Sequence, residues 1–232
     1  MARTNLVERT SAQKLTVTLA GAAVFAAISA ILALAKASVP FPLIPYLQVD
    51  FSEIPIQMAF FLFGPFAGAI TAVIQWIFLN ETGGDAPLGP AIKFAAVIST
   101  LGGFWLGGEV SRRIKGSSTH PSLAISLILG SGTLLRVAAM TVVNYAVLVY
   151  IGPVFFGANY LAFAKVTLER STGWTFPSDA MVLTYTLIFT ALYNVVNLLV
   201  AAIPAALIVS PIAKSFRHIT SGETWLARNT HS

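Results

Sequence analysis

The long apolar segments of this chain constrain its fold more than any other feature. The first runs from Leu15 to Ala35 without a charged side chain, and about 20 such residues suffice to cross a bilayer as a helix. Charged residues make up only 10% of the chain, against about 25% in soluble domains. We therefore predict an all-α, multi-pass integral protein of the plasma membrane, built as a single membrane domain.

Prolines and glycines divide the apolar sequence into six predicted helices. Gly64-Pro65 interrupts one long apolar stretch, which predicts two helices with a tight turn, although a single kinked helix is the alternative. Residues 38–55 contain four prolines and predict an extended connection on one membrane face. Residues 152–180 form a second long connection, of a length typical of functional loops. The predicted helices span about 12–37, 54–63, 66–80, 90–111, 121–151 and 180–211.

The distribution of basic residues favours six crossings with both termini in the cytoplasm, because cytoplasmic loops are enriched in Lys and Arg. Counting residues 54–80 as one crossing would move Arg112, Arg113 and Lys115 to the outer side. With six crossings, the inner side holds Arg3, Arg9, Lys14, Arg112, Arg113, Lys115, Lys214, Arg217 and Arg228. The outer side holds Asp50, Glu53, Glu81, Asp85, Glu169 and Asp179, with Lys36, Lys165 and Arg170 as its basic residues.

The sequence offers little support for catalysis. It has no cysteine, so it has neither a thiolate nucleophile nor a thiolate metal site. The histidines His120, His218 and His231 show no metal-ligand spacing, and no Gly-rich phosphate loop of the ATPase type is present. We expect no enzyme activity, no resident cofactor or metal, and no nucleic-acid binding.

Polar side chains within the apolar helices are candidates for a ligand site. Asn194 and Asn197 are three residues apart on one helix face, and Arg136 lies two turns before Asn144. Amides donate and accept hydrogen bonds without the cost of burying a charge. Such groups under an outer loop would suit a neutral, flat, hydrogen-bonding ligand.

Structural roles for these residues remain open at this point. The two asparagines could join helices, Arg136 could pair with Glu109 or with backbone carbonyls, and Lys93 could extend towards the membrane surface. Ser52 is predicted to cap the helix that begins near Glu53.

Alanines in the first helix predict a surface for close helix packing. Ala22, Ala26 and Ala30 are four residues apart and therefore form a flat stripe. The alternative explanation is that alanine is simply common in membrane helices.

Three motifs resemble the riboflavin-type substrate-binding (S) components of energy-coupling factor (ECF) transporters. The first is Asp50-Phe51-Ser52-Glu53-Ile54-Pro55 with the later Phe63-Gly64-Pro65 and Gly68, which is similar to that family's Asp-Phe-Ser-Asp-Ile-Pro and Gly-Pro pattern. The others are Arg136 to Tyr145, with Met140-Thr141, and Tyr193-Asn194-Val-Val-Asn197, which resemble its fifth and sixth helices. The likeness covers about residues 12–213.

The chain departs from the family pattern at several ligand-side positions. Asn197 stands in place of a Lys, and Gln75-Trp76 stands in place of a Lys-Asn pair. Lys93 falls near the family's Asn early in the fourth helix. These differences bear on the choice of ligand rather than on the transporter class.

The resemblance implies a six-helix S component that captures a vitamin outside the cell. Its partners would be a membrane coupling subunit, contacted by the alanine stripe, and two ATP-binding-cassette (ABC) ATPases. Riboflavin or a related flavin is the expected ligand, and residues 38–53 would gate a pocket floored by helices four to six. The predicted substrate-binding residues are Tyr46, Leu47, Asp50, Phe51, Lys93, Asn144, Tyr145, Asn194 and Asn197.

Two other functions remain as alternatives. One is an S component for a different vitamin or metabolite. The other is a self-sufficient secondary transporter, but such proteins usually show inverted repeats or intramembrane acids, and the sequence shows neither.

Overall fold

The computed structural model is a helical bundle with a β-hairpin across one end. It describes residues 11–82, 86–114, 121–156, 160–215 and 224–230. The helices are α1 (Ser11–Leu34), α2 (Glu53–Phe63), α3 (Pro65–Thr82), α4 (Leu88–Ile114), α5 (Pro121–Ala146), α6 (Gly152–Phe156), α7 (Tyr160–Thr172), α8 (Asp179–Ser215) and α9 (Trp225–Thr230). The strands are β1 (Ser38–Phe41) and β2 (Ile44–Asp50). Outside the described residues lie Arg3, Arg9, Asp85, Lys115, Arg217 and the histidines His120, His218 and His231.

Four helical segments of the described chain are long and apolar enough to cross a membrane. They are Ala12–Leu34, Leu88–Ile114, Pro121–Phe155 and Asp179–Ile212. The third is continuous because a π-helical segment, Val147–Ile151, joins α5 to α6. With its 11 residues, α2 rises only about 16 Å and cannot cross alone. The six-crossing topology therefore stays a prediction.

The turn between α2 and α3 depends on its glycine and proline. Gly64 has φ +99°, a conformation that residues with a Cβ rarely adopt. Pro65 begins α3, where a missing amide hydrogen costs no helical hydrogen bond. The chain therefore forms two helices here rather than one kinked helix.

The hairpin corrects the all-α prediction. Residues 38–50 are extended, as their prolines indicate, but they also pair as antiparallel strands with Ser38 opposite Asp50. The hairpin buries Phe41, Ile44 and Val49 in a cluster with residues of α7 and α8. Burial of this apolar face, rather than local sequence preference, stabilises the strands.

The second long connection is also more ordered than predicted. Residues 152–180, predicted as a long connecting loop, contain α6 and α7, so the loop prediction was wrong for this part of the chain. Ala164 and Leu168 of α7 are buried in the same cluster as the hairpin. This contact makes α7 a second cover over that end of the bundle.

The main hydrophobic core lies away from the hairpin. It centres on Phe60 and Phe61 of α2, Phe104 of α4, Leu198 of α8 and Trp225 of α9. The ring centroids of Phe60 and Trp225 are 4.5 Å apart. This tightly packed end contrasts with the hairpin end, where the bundle contains a cavity.

The predicted alanine stripe packs inside the protein. Ala22 and Ala26 are 0% and 2% exposed, and Ala22 contacts Ala59 and Ala67. Ala30 is partly buried. The stripe therefore joins α1 to α2 and α3, which corrects the expectation that Ala22 and Ala26 are available to a partner subunit.

Candidate functional site

A cavity of about 950 Å³ lies beneath the hairpin. Its walls come from β2, the first turns of α4, the second half of α5, α7 and the first half of α8. Its volume falls in the upper part of the range of about 300–1,000 Å³ typical of small-molecule sites. The aromatic residues of the lining are Tyr46, Tyr160, Phe163 and Tyr193.

A buried ion pair forms the floor of the cavity. Arg136 Nη1 lies 2.7 Å from Glu53 Oε2, and Arg136 Nη2 lies 3.0 Å from Glu53 Oε1. The two side chains are only 1% and 3% exposed. This two-bond geometry matches the planar guanidinium to the carboxylate, and it neutralises both charges.

Two asparagines of α8 hold this pair in place. Arg136 Nε donates to Asn194 Oδ1 at 2.9 Å, and Asn197 Nδ2 donates to Glu53 Oε1 at 2.8 Å. Asn197 Oδ1 also accepts the backbone N–H of Asp50 at 2.8 Å. Asn197 therefore connects the hairpin to the floor.

The partner of Arg136 was not predicted correctly. Glu109, which the sequence offered as a partner, instead forms an ion pair with Arg112 on the surface. The acid that Arg136 contacts is Glu53, 83 residues earlier in the chain.

A second ion pair lies nearer to the solvent. Lys93 Nζ pairs with Asp50 Oδ2 and also donates to Ser52 Oγ at 2.8 Å. Ser52 Oγ accepts a further hydrogen bond from Gln75 Nε2 at 2.8 Å. The side chains of Lys93 and Asp50 are 19% and 21% exposed, so both remain partly accessible.

The expected cap at Ser52 is absent. Its side chain makes no capping hydrogen bond to α2, because its hydroxyl is engaged by Lys93 and Gln75. The backbone N–H of Ser52 donates to Asp50 Oδ1 at 2.7 Å. Asp50 therefore stabilises the start of α2 and pairs with Lys93 at the same time.

Contacts with α7 and α8 hold the hairpin over the cavity. Tyr193 OH donates to the carbonyl of Gln48 at 2.7 Å, and Ser171 Oγ donates to the carbonyl of Leu43 at 2.7 Å. The rings of Tyr46 and Phe163 have centroids 5.6 Å apart.

The predicted site residues divide into two groups. Six of them line the cavity: Tyr46, Leu47, Asp50, Lys93, Asn144 and Asn194. The lining does not include Phe51, Tyr145 or Asn197. Tyr145 is 41% exposed and contacts Tyr150, while Asn197 acts from behind the floor.

Several lining residues were missed at the sequence level. Thr186 and Thr190 lie eight and four residues before Asn194, so the three share one helix face, and all three line the cavity. That spacing was visible in the sequence. The position of Glu53 in the lining depends on tertiary packing, and no local pattern assigns it.

Comparison with known proteins shows to which family the chain belongs. Residues 17–213 match the model of the ECF transporter, substrate-specific component, family. The chain belongs to this family. Its members are components of transporters rather than enzymes, and this one is a multi-pass protein of the plasma membrane.

Two curated relatives carry more specific names. The chain is 34% identical over 122 residues to the riboflavin transporter RibU of Staphylococcus aureus (strain TCH60), a match covering 53% of this chain and 60% of the relative. It is 34% identical over 114 residues to the riboflavin transporter FmnP of Bacillus subtilis (strain 168), covering 47% and 55%. The matches thus span about 60% of those relatives or less.

A solved structure supports the fold. It is the S component of a bacterial ECF transporter, and it aligns with a TM-score of 0.53 at 21% identity. The alignment covers 86% of this chain and 97% of that one. At this identity the likeness concerns the fold alone.

Proposed function

We propose that this S component captures riboflavin or a closely related neutral flavin for import. The observation that carries the proposal is the cavity under the hairpin, in which each lining cation of the described chain is paired with a lining carboxylate. The matches to two riboflavin transporters agree with it.

The chemistry of the lining suits a flavin. A flavin has a flat aromatic ring system with hydrogen-bonding edges and a chain of neutral hydroxyls. Aromatic walls formed by Tyr46, Phe163 and Tyr193 can pack on the ring. Asn144 and the hydroxyls of Thr186 and Thr190 supply polar groups for its edges and hydroxyl chain.

Electrostatics favour an uncharged ligand. Bringing an anion into a partly buried cavity costs free energy unless a cation is available to pair with it. Arg136 is engaged by Glu53 and Asn194, and Lys93 is engaged by Asp50 and Ser52. A neutral vitamin therefore fits the cavity better than an acidic one.

Capture takes place at the hairpin end, which the positive-inside rule assigns to the outside. The hairpin and α7 lie over the cavity, where they would control entry of the ligand. As a member of the ECF transporter, substrate-specific component, family, the protein would draw energy from the membrane coupling subunit and two ABC ATPases of an energizing module. Reorientation of the S component in the membrane would then release the ligand inside.

We propose that the coupling subunit docks on a face of α1 other than the predicted alanine stripe. Because Ala22 and Ala26 are buried, the small residues that remain exposed on this helix include Ala23 and Ala27. A coupling subunit could approach the backbone closely at these positions.

Binding and uptake experiments test the two parts of this proposal. Titration of the purified protein with riboflavin, followed by quenching of flavin fluorescence, should show one site per chain. No binding at micromolar flavin would contradict the assignment of the ligand.

Uptake into proteoliposomes tests the proposed partners. We expect labelled riboflavin to accumulate only when the coupling subunit, both ATPases and ATP are present. Accumulation by the S component alone would instead indicate a self-sufficient transporter.

A further inference from the structure

Two ion pairs of the cavity differ in accessibility. Arg136 and Glu53 are almost completely buried, at 1% and 3% exposure, whereas Lys93 and Asp50 are 19% and 21% exposed. A polar end of a ligand can therefore reach Lys93 and Asp50 more readily. These four residues are the charged side chains that line the cavity in the described parts of the chain.

The charges of the lining balance within each pair. Two cations face two carboxylates, and each pair is in direct contact. Lys93 would be a strong anion site if Asp50 did not neutralise it. Asp50 therefore determines whether this wall of the cavity attracts or repels an anionic group.

We propose that Asp50, by pairing with Lys93, makes the site selective for an uncharged flavin over its phosphorylated form. This inference rests on the proposed function and adds a residue that determines specificity. A phosphate group, with a charge of about −1.5 to −2 at neutral pH, would either face the Asp50 carboxylate or take Lys93 away from it. The second course leaves a partly buried carboxylate unpaired, which is also unfavourable. Repulsion of the wrong ligand is a common source of specificity.

The two carboxylate oxygens of Asp50 have different partners, so the structural role of this residue can be tested separately from its charge. Oδ1 accepts the backbone N–H of Ser52 at 2.7 Å, and Oδ2 contacts Lys93. An Asn side chain keeps an oxygen for the backbone contact and removes the charge from the Lys93 side. The substitution Asp50→Asn therefore tests the charge without deleting the contact that begins α2.

The experiment compares the affinities of riboflavin and flavin mononucleotide (FMN) by fluorescence quenching. The wild-type protein should bind riboflavin more tightly. In Asp50→Asn, the affinity for FMN relative to riboflavin should rise at least about tenfold, equivalent to about 1.4 kcal/mol. The double variant Asp50→Asn/Lys93→Met should return the ratio towards the wild-type value, because the unpaired cation is gone.

Two results would overturn the inference. One is a ratio in Asp50→Asn that stays within about threefold of wild type, less than about 0.7 kcal/mol. The other is a gain in FMN affinity that persists in the double variant, since it would then come from a loosened pocket. Riboflavin binding with an unchanged ratio rejects this inference alone, whereas absence of flavin binding by folded wild-type protein rejects the proposed function and the inference with it.

A second variant, which removes the positive charge of the pair instead of the negative one, tests the inference if Asp50→Asn does not fold. Lys93→Met leaves the Asp50 carboxylate unopposed. It should therefore gain at least about tenfold in relative affinity for a riboflavin analogue with a terminal amine in place of the 5′-hydroxyl. No gain for this cationic analogue would contradict the role assigned to the pair.

Discussion

The buried pair between Glu53 and Arg136 should be a principal determinant of stability, and Glu53→Gln tests it. Glu53 accepts three hydrogen bonds, two from Arg136 and one from Asn197. A Gln side chain offers one oxygen, and its amide nitrogen would face the donors of the guanidinium. Arg136, 1% exposed, would then be a buried cation without a matching charge.

The magnitude follows from that burial. Removing one partner of a buried ion pair typically costs about 3–5 kcal/mol. For a chain of about this size each kcal/mol lowers the melting temperature by about 2–4 °C. We therefore expect the melting temperature in detergent to fall by about 6–20 °C. The melting temperature is measured as the temperature at which half of the protein no longer elutes as a monodisperse peak in size-exclusion chromatography after heating.

A surface ion pair provides the matched control. Glu109 and Arg112 are paired with side chains 30% and 50% exposed, and exposed pairs contribute about 0–1 kcal/mol. Glu109→Gln should therefore change the melting temperature by no more than about 4 °C. If Glu53→Gln is no more destabilising than Glu109→Gln, the buried pair does not have the structural importance assigned to it.

Three further predictions concern binding, docking and topology. Asn197→Ala should weaken riboflavin binding at least about tenfold, because it removes the hydrogen bonds to Glu53 and to the Asp50 backbone. A lost buried hydrogen bond costs about 1–3 kcal/mol. Unchanged affinity would show that Asn197 does not support the binding site. Ala27→Trp should abolish ATP-dependent uptake while flavin binding persists. The control variant Val142→Trp, at a position 68% exposed, should leave uptake intact. Normal uptake in Ala27→Trp would reject the proposed docking face on α1. A single cysteine at Lys165, whose side chain is 39% exposed, should react with an impermeant maleimide added outside intact cells, and labelling restricted to inverted vesicles would reverse the proposed orientation.

Local chemistry in the sequence anticipates some features of the fold. The break at Gly64-Pro65 follows from the properties of those two residues. Pro40, Pro42 and Pro45 disfavour a helix, and residues 38–50 are extended, whereas Pro55 is accommodated in the first turn of α2. The strand pairing could not be predicted, because it depends on burial of Phe41 and Ile44 against helices that follow more than 100 residues later.

In the site, too, local sequence identifies some residues, whereas the roles of others depend on partners far away in the chain. Asn194 and Lys93 were identified because polar groups in apolar helices are uncommon, and both line the cavity. The roles of Arg136 and Asn197 could not be assigned, because their partner Glu53 lies 83 and 144 residues away in the chain. The alanine stripe shows the converse error, since small residues predict close packing but do not say whether the partner is inside or outside the chain.

The most direct test of the flavin assignment is to identify what the protein carries when it is purified. The protein is solubilised in detergent, its absorption spectrum is recorded, and the compound released on denaturation is identified by mass spectrometry. We expect a yellow protein that releases riboflavin in near-equal molar amount. A colourless protein that releases a different vitamin, or that binds no added flavin, would contradict the account.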